Sequence, residues 1–136
     1  MVSNVRAALA AIAGGDVRAL DLLLTVPPDV VLEAAQNVDL VLSRESLAGV
    51  LRMLSHHEVE GTDVQRWASF IRRGYIGRQG GGPVKPITFE YDAWYEDAMA
   101  DIISRLDEIG DLINGTIPDE VQISMYLAQL GLADAN

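Results

Sequence analysis

His56-His57-Glu58 is the place in this sequence where an acid–base or metal reading can begin. Adjacent side chains on a helix diverge by about 100°, so neighbouring imidazoles do not easily share one ion, and helical zinc sites use i, i+4 spacing instead. No metal site is expected here. The histidines suit a helix C-terminus, where positive charge meets the negative end of the dipole. The chain has no cysteine, which removes disulfides, thiolate zinc sites and a cysteine nucleophile together and fits a reducing compartment. With two histidines in total and no G-x-S-x-G, a serine–histidine–aspartate site has little to build on.

Three further patterns are weaker still. Arg52 and His57 match the loose R-x4-H spacing of some helical ribonucleases, but on a regular helix they stand about 140° apart. Only Arg44 and Arg52 would supply positive charge nearby. The run Gly77 to Lys85 has the glycines of a phosphate loop without its G-K-[ST] ending, and Pro83 removes a backbone donor such a loop would use. Carboxylate pairs such as Asp107-Glu108 and Asp119-Glu120 stand at positions that read as solvated, whereas a catalytic pair needs one pKa raised by burial. No catalytic residue and no cofactor is expected.

Charge is more informative. Of 136 residues, 49% are hydrophobic and 22% charged, ordinary for one globular domain with a real core. Residues 1–86 carry nine acids and nine bases, which cancel, while residues 87–136 carry eleven acids and one base, Arg105. The net charge of −10 therefore belongs to the last fifty residues. It argues against a nucleic-acid partner, whose phosphates require Lys and Arg. No apolar run approaches the roughly 20 residues of a membrane span, and the opening stretch, interrupted by Arg6, does not read as a signal peptide. A cytoplasmic protein with an acidic interaction face is expected.

The elements that would position this charge are helical, because apolar residues recur at helical spacing and β-branched alternation is almost absent. The fold expected is all-α, a single domain over 1–136 built as a bundle of six to seven helices, with a Gly/Pro-rich flexible connector at 75–86. A first helix runs from Asn4, capped by Ser3, to Ala13. A second, capped by Asp16, covers Val17 to Thr25, and Pro27-Pro28 start a third that reaches Asn37. Ser43 caps a fourth, Arg44 to Ser55, and Thr62 with Gln65 forms a capping box for a fifth, Asp63 to Arg73, stopped by Gly74. Ile87 to Glu90 could be extended. Asp92 caps a long sixth helix, Ala93 to Ile109, and the last begins near Pro118 and closes at Leu130-Gly131. Asp21 to Leu24 and Asp39 to Leu42 echo one another, a hint of stacked helical hairpins.

On the sixth helix Tyr95, Met99, Ile102, Leu106 and Ile109 form a stripe for the core, and Asp97, Asp101 and Glu108 fall opposite. An Asp101–Arg105 pair at i, i+4 would support a solvated face. Acids also crowd the flanks. Trp94 stands off the apolar stripe among acids, which suits an interface anchor. The partner-binding residues expected are Glu90, Trp94, Asp97, Asp101, Glu108 and Asp111.

Two stretches resemble bacterial helical immunity proteins, the small inhibitors that protect a cell from colicin-like or contact-dependent toxins. They are Gln65-Arg66-Trp67-Ala68-Ser69-Phe70-Ile71, and Tyr91-Asp92 with the later Ile102 to Asp111. The likeness covers residues 44–131, and the glycine-rich insertion before Ile87 departs from it. It implies a non-enzymatic protein, monomer or weak dimer, that binds and neutralises a basic toxin domain, often a nuclease. An acidic face would steer such a partner and mimic the phosphates it expects. A generic helical adaptor, or a helical ribonuclease using Arg52 and His57, are the alternatives.

Overall fold

A computed structural model describes residues 2–23, 26–36, 39–73, 87, 89–109 and 118–132. Among them the chain is all-α, with seven α-helices and one pair of two-residue strands. Helix α1 spans Val2–Ala13, so Ser3 lies within it rather than capping it. The Gly15 N–H donates to the Ile12 carbonyl at 3.0 Å and the Asp16 N–H to that of Ala11 at 2.9 Å. This closing pattern needs a left-handed residue, which Gly15 supplies at φ +96°. A Cβ there would also lie 2.9 Å from the Ser46 carbonyl oxygen.

Asp16 then starts the next element at once. Its carboxylate accepts from the Arg18 and Ala19 N–H groups, at 3.1 and 3.3 Å. The reversal is too sharp for a relaxed α-turn, and the segment read as helix from Val17 opens as a 3-10 turn, Val17–Ala19, before α2, Leu20–Leu23. Thr25 lies outside the described residues. Helix α3 is Pro28–Ala35 with proline in its first turn; the expected end at Asn37 is likewise outside them.

Strand β1, Val41–Leu42, corrects the apparent repeat. Leu40 and Leu42 are buried and Val41 is exposed, the period-two pattern of a strand, whereas Leu20 to Leu23 is helix. Its partner is β2, Glu90–Tyr91, paired in parallel so that Val41 faces Glu90 and Leu42 faces Tyr91. The expected extended run, Ile87 to Glu90, overlaps this strand at Glu90 alone; Ile87 and Phe89 are not part of it, and Thr88 lies outside the described residues.

Helix α4 is Arg44–Ser55, with the Ser43 hydroxyl accepting from the Ser46 N–H at 3.1 Å. It ends on His57, a non-glycine residue in the left-handed region at φ +58°. Helix α5 is Gly61–Arg73, so Thr62 sits inside it and the expected capping box does not form. Gln65 is drawn elsewhere and donates to the Asp107 carbonyl at 3.2 Å. The connector at 75–86 and its flanking Gly74 lie outside the described residues.

Helix α6 is Glu96–Asp107, shorter than the sequence suggests. Asp92 caps a turn and not the helix, with its carboxylate accepting from the Trp94 N–H at 3.3 Å and its carbonyl from the Tyr95 N–H at 3.0 Å. Helix α7 is Glu120–Gln129, opened by a reciprocal capping box between Asp119 and Gln122 and closed on Gly131 at φ +71°.

Helices α5 and α6 lie along one another, α1 packs on α3, and α4 packs on α7. Trp67, Phe70, Leu9, Ile12, Leu51, Met99 and Ile102 are among the fully buried side chains of one continuous core. The Trp67 indole donates to the Ile12 carbonyl at 2.8 Å, fastening α5 to the end of α1. Phe89 meets Phe70 edge-on at 5.4 Å between ring centroids, which seats the approach to β2 on α5.

Two of the left-handed caps, Gly15 and His57, respond oppositely to substitution. Gly15→Ala should lower stability by about 1–3 kcal/mol, while His57→Gly should be neutral or stabilising by up to about 1 kcal/mol. Urea unfolding midpoints measure both, and an undiminished midpoint for Gly15→Ala would contradict the cap geometry.

Candidate functional site

The acidic surface is built on α6 because the other side of that helix is fully committed. Of the expected stripe, Met99, Ile102, Leu106 and Ile109 are buried and Tyr95 is half-buried ahead of the helix; Ile103 is buried beside them, and this forces Asp97 and Asp101 outward. Asp97, Asp101 and Glu108 follow one another along a single line of the helix, about 16 Å from first to last. Asp101 accepts from the Arg105 guanidinium at 3.2 Å, the expected i, i+4 pair. Glu108 is the half-buried residue that closes the helix.

Trp94 projects from the turn ahead of α6 and is 91% exposed. It shares an open groove of about 370 Å³ with Tyr95, Glu96, Asp97 and Gln129. Trp94 and Asp97 are thus brought together at the head of the helix, while Glu108 stands at its far end. Glu90 is exposed, but it belongs to β2, where its N–H donates to the Leu40 carbonyl at 2.9 Å. Asp111 lies outside the described residues.

The groove is held by a junction centred on Arg44. Its guanidinium donates to the Leu130 carbonyl at 3.0 Å, stacks 4.4 Å over the Tyr95 ring and reaches Glu45 at 3.1 Å and Asp92 at 4.0 Å. Gly131 completes the fit, since a Cβ there would lie 2.8 Å from the Tyr95 hydroxyl and 3.0 Å from the Arg44 guanidinium. The start of α4, the end of α7 and the Trp94 turn are therefore tied to one another.

Four residues of this region differ from the sequence reading or are absent from it. Asp107 is buried and not solvated, with its carboxylate accepting from Arg72 at 3.0 Å; the partner lies on another helix, where helical periodicity could not point to it. Glu96 adds an exposed acid to the first turn of α6. Val121 and Met125 of α7 are 69% and 57% exposed. Their signal is present in the sequence: Glu120 is the only charged residue between Glu120 and Gln129.

Catalytic chemistry finds little here. Arg52 donates to the Leu132 carbonyl at 3.3 Å, and His57 forms the turn that ends α4. His56 Nδ1 stands 3.6 Å from Glu58 on an exposed surface. A second groove, of about 460 Å³, is lined by Gly14 to Arg18, Met53, Glu58 and Val59, with no histidine, serine or tyrosine in its walls. No cluster of three metal-ligating side chains occurs among the described residues, and none of their helices is long and apolar enough to cross a membrane. Comparison with protein-family models, with curated proteins and with solved structures found no match for this chain.

Tyr126 of α7 feels the charges of the Asp101–Arg105 pair on α6. Burial pushes its hydroxyl pKa up, Arg105 pulls it back and Asp101 adds to the rise. Burial raises Tyr91 as well, against a lowering by Arg72 and with a further rise from Glu96. Below the unfolded tyrosine value of about 10 both states are neutral and the stability is fully present. Above it the unfolded chain ionises first, so stability falls as pH rises. Tyr126→Phe should therefore lose less stability than the parent between about pH 8 and pH 11, measured as the shift in urea midpoint. An identical alkaline loss would place Tyr126 in water.

Proposed function

We propose that this chain is a non-catalytic binding protein that docks a basic protein domain on the α6 surface, with Trp94 as its anchor. Following the resemblance to helical immunity proteins, the partner we propose is a bacterial toxin domain of nuclease type, held inactive in the cytoplasm. The observation that carries the reading is the Trp94 indole, 91% exposed at the head of a helix whose outward line is acidic. An indole left in water forgoes the gain of about 25 cal/mol for each Å² of apolar surface it would bury. Tryptophan is also the residue most enriched where a few contacts carry an interface.

Electrostatics supports the same partner class. Glu96, Asp97 and Asp101 stand exposed along α6, whose one basic residue, Arg105, is already tied to Asp101. A basic surface approaching this side is attracted before contact, and the attraction is screened over about 8–10 Å at physiological salt. A generic adaptor would show no such dependence.

The test uses the product of the neighbouring gene, co-purified with this chain. Asp97→Asn, Asp101→Asn and Glu108→Gln together should leave the melting curve nearly unchanged, because the exposed Asp97 and Asp101 charges contribute only about 0–1 kcal/mol each and Glu108, half-buried, is replaced by its near-isosteric amide. Association should slow and lose its salt dependence, and any desolvated pair would cost about 2–5 kcal/mol. Trp94→Ala should weaken binding without changing the salt slope. Equal affinity of parent and triple variant at both low and high salt would remove the acidic line from the interface.

A further inference from the structure

Helix α7 buries Ile123, Tyr126, Leu127 and Leu130, and its outer side carries no charge after Glu120. A helix face turned to water ordinarily carries charged or polar side chains. Here Val121, Met125 and Gln129, at i, i+4 and i+8, form a ridge about 12 Å long, and Ser124 and Ala128 form a shallow exposed furrow beside it. Gln129 opens into the groove that holds Trp94. Gln129 thus joins the two exposed apolar side chains of α7 to the tryptophan's groove in one surface, and acids border it: Glu96 and Asp97 in the groove, Asp101 with its partner Arg105 near Tyr126, Asp119 and Glu120 at the opposite end.

We infer that the occupant of this surface is an amphipathic basic helix, its apolar side laid on Val121, Met125 and Trp94 and its Lys or Arg residues set against the bordering acids. This rests on the docking role proposed for the Trp94 surface and extends it to α7. A ridge beside a furrow at i, i+4 spacing is the relief into which another helix packs. An extended segment has no purchase here, because the backbone groups of α7 are spent within the helix and offer no sheet edge. A second copy of this chain would bring the same acids against these acids, at a net charge of −10 each. A partner of opposite charge meets no such penalty.

The probe is a tryptophan-free synthetic peptide of about fourteen residues, leucine and lysine ordered so that the leucines share one helical face. A peptide of the same composition with the leucines scattered is the control. Trp67 is fully buried, so acrylamide quenching reads Trp94 alone. The ordered peptide should protect Trp94, and the scattered one should bind at least about tenfold more weakly. Val121→Ser with Met125→Ser should weaken the ordered peptide by a similar factor with an unchanged circular dichroism spectrum, since both side chains are exposed. Equal binding of the two peptides, or an unaffected double variant, overturns the inference. If the double variant binds normally while the Asp97, Asp101 and Glu108 variant does not, the docking role stands and only the helix on α7 falls. If neither variant matters, both readings fall. Sedimentation showing a parent dimer that the double variant abolishes would give the face to a second copy and also overturn the inference.

Discussion

The carbonyl groups at the end of a helix have no partner in their own helix, and in this fold side chains from distant parts of the chain come to meet them. Trp67 donates to Ile12 at the end of α1, and Gln65 to Asp107 at the end of α6. Arg18 donates at 3.1 Å to Glu58, just beyond α4, and Arg44 and Arg52 to Leu130 and Leu132 at the end of α7. Each bond satisfies a polar group and also fixes where one helix ends against another. Arginine adds a positive charge where the helix dipole is negative. The proposed docking surface depends on this directly, because Arg44 holds the last turn of α7 and the ring of Tyr95 in one junction. Without that junction, Trp94 and Met125 would belong to separate surfaces.

The acids of α6 do not all have the same reason to be there. Glu96 and Asp97 lie in the first turn, where a negative charge complements the positive end of the dipole. Asp101 is balanced by Arg105 one turn on. Asp107, near the unfavourable end, is compensated by Arg72. Glu108 sits at that same end without such a placement, in a region that already carries most of the negative charge. Local helix physics accounts for the first four of these residues. For Glu108 the local attraction is Arg105, three residues back and already paired with Asp101, set against the unfavourable end of the dipole.

Much of the fold was legible because short-range rules wrote it. The bounds of α4, the buried stripe of α6 and the Asp101–Arg105 pair follow from capping, periodicity and i, i+4 spacing. Two of the misreadings share one cause. Gln65 and Asp107 were read against their sequence neighbours, yet their partners lie on another helix. Asp92 carries the chemistry of a helix cap and spends it on the turn that presents Trp94. Asp39 to Leu42 has the composition of a helix but is claimed by a strand partner about fifty residues on. At the site, charge was legible and the apolar ridge was not, because an uncharged helix reads as one whose sides are all covered.

The strand pair is very small for the distance it spans. Two residues on each side are joined across about fifty positions of chain, and closing a loop of that length from the unfolded ensemble costs entropy that grows with its logarithm. A ladder of so few bonds, each with a net gain of about 1 kcal/mol, cannot hold that loop shut alone. It persists because α4 and α5 have already shortened the span and because Phe89 is seated on Phe70. The ladder is therefore a keystone in the mason's sense: the last stone in, steady only while the arch around it stands, and the first to loosen when any part of that arch gives way.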